Sequence, residues 1–108
     1  MVVKQGLLLR IFIEENDKYE GAPLYEWIVH KALKNGLADA TVVRGIKGLE
    51  LHREMHTAKV LRLSSEQPIV VEMVDTSEKI EAFLPIIEQA ISGGVATLQD
   101  ADIRRCRD

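Results

Sequence analysis

Two short runs constrain the fold of this chain more than anything else in it: Leu7–Ile13 (LLLRIFI) and Ile69–Val74 (IVVEMV). Each is apolar at consecutive positions and each holds one charge, Arg10 in the first and Glu72 in the second. A strand sends successive side chains to opposite faces, so a run without alternation is a strand with apolar residues on both faces. Both runs fall far short of the roughly 20 apolar residues that cross a bilayer. A lone charge in such a strand is costly unless paired. Arg10 and Glu72 are therefore expected to meet across neighbouring strands as a structural ion pair.

The rest of the pattern arranges itself around these runs. Glu14–Ala22 is polar with a glycine and reads as a loop, and Pro23 suits the first turn of a helix. Leu24, Tyr25, Ile28, Val29, Ala32 and Leu33 recur at helical spacing until Gly36 stops them. Thr41–Ile46 is a second strand, and Ala58–Leu63 (AKVLRL) alternates like a further one. Ser64–Gln67 turns the chain and Pro68 opens the strand IVVEMV. Asp75, with Glu78 three residues on, resembles a capping box. Ile80, Phe83, Leu84, Ile87 and Ile91 form the stripe of a second helix, in which Pro85 should introduce a kink or remove a hydrogen bond. Gly93-Gly94 ends it, and Val95–Ile103 is a last, weaker strand. The order β-α-β-β-α-β predicts an α+β, ferredoxin-like sandwich with both helices on one face. Ala58–Leu63 adds an extra β-hairpin strand to the connection between the second strand and IVVEMV, and residues 1–108 form one domain.

Two helices leave the other sheet face bare, and that face is apolar. Self-association with closed symmetry is the expected remedy, with loops or the tail as the alternative cover. Trp27, opposite the Leu24–Ile28–Ala32 stripe, is expected to serve interface or loop packing.

A formal net charge of −3 gives no broadly basic face, so nucleic acid is not an expected partner. The one cysteine, Cys106, excludes an internal disulfide and fits a reducing, cytoplasmic setting, and no signal cleavage pattern follows the first residues. The serines Ser64, Ser65, Ser77 and Ser92 stand in turn or cap contexts without a nucleophile motif. Asp17 and Glu20 could pair as carboxylates, but no pocket can be argued around them. No enzyme is expected.

The connection RGIKGLELHREMHT, residues 44–57, concentrates the remaining chemistry. Gly45 and Gly48 permit a close backbone approach, and N–H groups in such turns can form a concavity for an anion. Arg44, Lys47, Arg53 and Lys59 could supply counter-charge, with Arg62 a further source. The other reading is a charged, mobile hairpin loop. His52 and His56 are four apart and would share one helix face, where they could bind a divalent metal. Their order is not that of a zincin, and no third ligand is evident. Solvent-exposed or phosphate-facing histidines are the alternative.

The segments LRIFIEENDKYEGAPLYEWIV, ATVVRGIKG, HTAKVLRLSSEQPIVVEMVDTSEKIEAFLP and GGVATLQDADI closely resemble a functionally uncharacterised group of small bacterial and archaeal PII-like proteins. The likeness rests on Arg44-Gly45-x-x-Gly48, His56-Thr57 and Val74-Asp75-Thr76, and covers nearly the whole chain. It implies a homotrimer that binds an adenine nucleotide, or another small anion, in clefts between subunits. A loop, here residues 45–57, would signal to a partner protein, for which a membrane transporter or channel is a candidate. It further implies that Gly45, Lys47 and Gly48 form the base of that loop. Gly93 and Gly94 would stand where PII proteins grip phosphate, and Arg104 and Arg105 would reach phosphates in the adjacent cleft. Both tyrosines, Tyr19 and Tyr25, lie near the first helix, so the likeness does not extend to uridylylation of the loop. Proteins of this fold are also linked to divalent-ion tolerance, which makes His52, His56 and Cys106 the candidates of a metal-responsive alternative.

Overall fold

The computed structural model describes residues 2–45 and 67–105. Its elements run β1 (Val2–Glu14), β2 (Lys18–Tyr19), β3 (Ala22–Pro23), α1 (Leu24–Lys34), β4 (Thr41–Arg44), β5 (Pro68–Thr76), α2 (Ser77–Glu88) and β6 (Val95–Arg105). The main sheet has the order β4-β5-β1-β6 with every neighbouring pair antiparallel. This is the ferredoxin-like arrangement expected from the two apolar runs, which lie side by side at its centre. The additional strand expected at Ala58–Leu63 lies outside the described residues.

Register decides the faces. Leu9, Ile11 and Ile13 oppose Met73, Val71 and Ile69, and all six are buried. Leu24, Ile28 and Ala32 of α1 and Ile80, Phe83 and Ile87 of α2 close over them, so both helices cover the same face. Leu8, Arg10 and Phe12 project to the other side, as do Val70, Glu72 and Val74. There the Nε of Arg10 donates to Glu72 Oε2 at 2.7 Å, so the pair expected across neighbouring strands forms.

Several ends differ from the sequence reading. The Glu14–Ala22 stretch holds a small hairpin, β2–β3, turned by Glu20 and Gly21 at positive φ. Tyr19 and Trp27 pack edge to face with ring centroids 4.8 Å apart, and Lys31 Nζ lies 5.4 Å from the centre of the Trp27 ring, so Trp27 serves loop packing. Pro23 sits just before α1, at its N-cap, instead of in its first turn. Gly36, at φ +77°, does end α1: its N–H donates to Leu33 and that of Leu37 to Ala32, a Schellman closure. The cap of α2 is Thr76 and not Asp75, since Thr76 Oγ1 accepts the Lys79 N–H. Asp75 is 8% exposed and its two oxygens accept the N–H groups of Thr76 and Ala38. A carboxylate already used by two backbone donors is not available to the helix. Pro85 stays within α2. It is exposed, as is Glu81, whose carbonyl loses its partner four residues on, so water can replace that bond. Among the described residues no helix is long and apolar enough to cross a membrane.

Candidate functional site

At one end of the sheet β1 and β4 finish while β5 and β6 begin. The chain leaves β4 through Gly45, whose N–H donates to the Pro68 carbonyl at 2.7 Å. A Cβ at position 45 would lie 2.7 Å from Pro68 Cγ, so only glycine lets the two strands close there. Gly93-Gly94 enters β6 at the same end. Gly93 has φ +81°, and a Cβ at Gly94 would come within 2.8 Å of Ile91 Cγ2 and 3.2 Å of the Phe12 carbonyl. Pro68 is the common neighbour. It packs on Gly45 and, with Gly93, Gly94, Phe12 and Val95, lines a cleft of about 290 Å³.

The sequence-predicted residues thus divide into groups. Gly45, Gly93 and Gly94 gather around Pro68. Arg44 lies beside them, its Nη2 paired to Glu15 Oε2 at 2.9 Å. Arg104 and Arg105 stand at the far end, opposite Val3 and Val2. Ten residues of strand separate Arg105 from Val95 at the cleft, about 34 Å at ~3.4 Å per residue. Arg104 pairs with Asp102 at 3.0 Å, and Arg105 borders a smaller cleft with Lys4 and Thr76. Lys47, Gly48, His52, His56 and Lys59 lie outside the described residues, as do Arg53, Arg62 and Cys106. Among the described residues no group of three or more His, Cys, Asp or Glu side chains is placed to hold a metal ion.

The charged side chains among the described residues lining the glycine cleft are acidic, Glu14 and Asp17. Asp17 Oδ2 accepts the Glu14 N–H at 3.0 Å, which folds the start of the β1–β2 connection back beside the glycines. Sequence reasoning leaves Asp17 a carboxylate without a pocket and does not single out Glu14. The acidic run Glu14-Glu15-Asn16-Asp17 is visible in the sequence, but its position beside a glycine pair nearly eighty residues on depends on strand pairing. Glu20 is exposed in the hairpin turn and does not line this cleft.

Residues 6–103 match the family model DUF190, described as Uncharacterized ACR, and the chain belongs to that family. A UPF0166 protein of Aquifex aeolicus (strain VF5) is 39% identical over 103 residues, which is 95% of this chain and 97% of that protein. A solved structure from Thermus thermophilus, described as PII-like, matches with a TM-score of 0.65 at 15% identity, over 95% of this chain and 93% of that one. CPII of Thiomonas intermedia K12, a nitrogen regulatory PII-like protein solved with ADP, AMP and bicarbonate, matches with a TM-score of 0.59 at 19% identity, covering 96% and 92% of the two chains. At such identities the likeness is one of fold, and the fold is PII-like.

Proposed function

We propose that this protein is a non-enzymatic, cytoplasmic regulator of the PII-like kind, one domain per chain and three chains per assembly. Each cleft binds an adenine nucleotide. Gly45 and the Gly93-Gly94 turn come from one subunit, and Arg104 and Arg105 come from its neighbour. The loop 45–57 leaves β4 at the edge of that cleft, so nucleotide and loop are coupled at Gly45. A partner protein, such as a transporter or channel, reads the loop.

The observation that carries this reading is the separation of about 34 Å between the glycines and the arginines along β6. The charged described residues lining the cleft, Glu14 and Asp17, are acidic, and the adjacent Arg44 is paired to Glu15, so a phosphate held there needs cations from elsewhere. The chain's own Arg105 is too far away, whereas a second copy can bring its arginines to the same place. The adenine nucleotides bound to CPII, a protein of the same fold, favour the nucleotide as ligand. Calorimetric titration of untagged protein with AMP, ADP, ATP and cyclic AMP tests it. Saturable heat for at least one is expected, and no heat for any of them overturns the nucleotide reading.

A further inference from the structure

The open face of the sheet is ordered in rungs that run across the strands. Thr41 of β4 faces Glu72 of β5, Glu72 faces Arg10 of β1, and Arg10 faces Thr97 of β6. One polar rung therefore crosses the whole sheet. The next rung, towards the glycine cleft, is Val43, Val70, Phe12 and Val95, apolar from edge to edge. Val43 is 45% exposed, Phe12 41% and Val95 58%. On the other side of the polar rung lie Val74 and Leu8, followed by Gln99. The rungs are two residues apart, about 7 Å.

The polar rung is tied internally. Arg10 Nε donates to Glu72 Oε2 at 2.7 Å, and Arg10 Nη1 donates to Gln99 Oε1 at 2.8 Å. The pair is net neutral and still presents both a cation and an anion to whatever covers it. A surface with both signs at one level is complementary to a copy of itself. The apolar rung beside it needs an apolar partner, and a copy supplies that as well. A slip of one rung would set Val70 and Phe12 of one chain against Arg10 and Glu72 of the next, burying charge against hydrocarbon.

We propose that the Thr41–Glu72–Arg10–Thr97 rung fixes the register in which copies of this chain pack open face to open face. This rests on the self-association in the proposed function and adds the element that specifies it. The apolar rungs drive association, and the polar rung selects the alignment in which the charges of one chain meet those of its neighbour.

The test exchanges the charges, Arg10→Glu with Glu72→Arg, which keeps the pair within every chain. Swapped chains are expected to assemble to the native mass by sedimentation. When mixed with native chains and equilibrated, they are expected to form mixed assemblies about tenfold less often than random exchange, because unlike copies set like charges together. Exchange at the random proportion overturns the register role while leaving self-association intact. A native chain that sediments at 12.1 kDa throughout the micromolar range removes the self-association reading itself. Should circular dichroism show the swapped chain unfolded, Arg10→Leu with Glu72→Leu takes its place. Loss of a single defined mass is then expected, and a single native mass overturns the proposal.

Discussion

The N–H of Gly45 meets the carbonyl of Pro68 at 2.7 Å, the last described contact of the chain before residues 46–66. A side chain at this position meets the proline ring. In Gly45→Ala the ring or the strand end must shift, since the added Cβ would lie 2.7 Å from Pro68 Cγ. Such overpacking costs about 1–2 kcal/mol. Urea unfolding should show that loss, and nucleotide titration should show weaker binding than the stability change alone explains.

The two glycines before β6 are expected to fail for different reasons. Gly93 is held at φ +81° with open space around it, so Gly93→Ala is strained by backbone conformation alone, about 1 kcal/mol. Gly93→Asn should recover part of that, because asparagine tolerates the left-handed region. Gly94→Ala meets Ile91, the Phe12 carbonyl and Ile13 within 3.3 Å, so it should cost more, about 1–3 kcal/mol, and Gly94→Asn should recover nothing. Thermal unfolding of the four variants checks the order.

Asp75 uses both carboxylate oxygens as acceptors, for Thr76 N–H at 2.7 Å and Ala38 N–H at 2.8 Å. Asp75→Asn is nearly the same shape but must point an NH₂ group at one of these donors. The expected loss is about 1–3 kcal/mol, close to that of Asp75→Ala, despite the smaller change in volume. A urea midpoint for Asp75→Asn equal to that of the native chain would rule this account out.

Much of this architecture is legible in the sequence because apolar period and charge cost act locally. The runs Leu7–Ile13 and Ile69–Val74 announce central strands, and their lone charges predict the Arg10–Glu72 pair. Three features are not legible, each for a physical reason. β1 and β6 reach past the apolar runs, to Val2 and Arg105, because backbone pairing holds them together where side chains give no pattern. The cap moves from Asp75 to Thr76 because Ala38, distant in sequence, competes for the aspartate. The rungs of the open face depend on register across β4, β5, β1 and β6, and no single segment encodes that.

A site divided between subunits can be rebuilt from two defective chains. Gly94→Ala damages the turn at the cleft, and Arg104→Ala with Arg105→Ala removes the cations a neighbour would bring. Each variant assembly alone should bind nucleotide at least about tenfold more weakly, the size expected for losing charge-assisted bonds. In equilibrated equal mixtures of the two, a site is intact when an arginine-deficient chain supplies its glycines and a Gly94→Ala chain supplies its arginines. In a closed ring with random mixing that combination arises at about one site in four. Calorimetry of the mixture should therefore recover native affinity at about a quarter of the native stoichiometry. If the glycines and arginines acted within one chain, mixing would recover no native sites, and the stoichiometry of high-affinity binding would stay at zero.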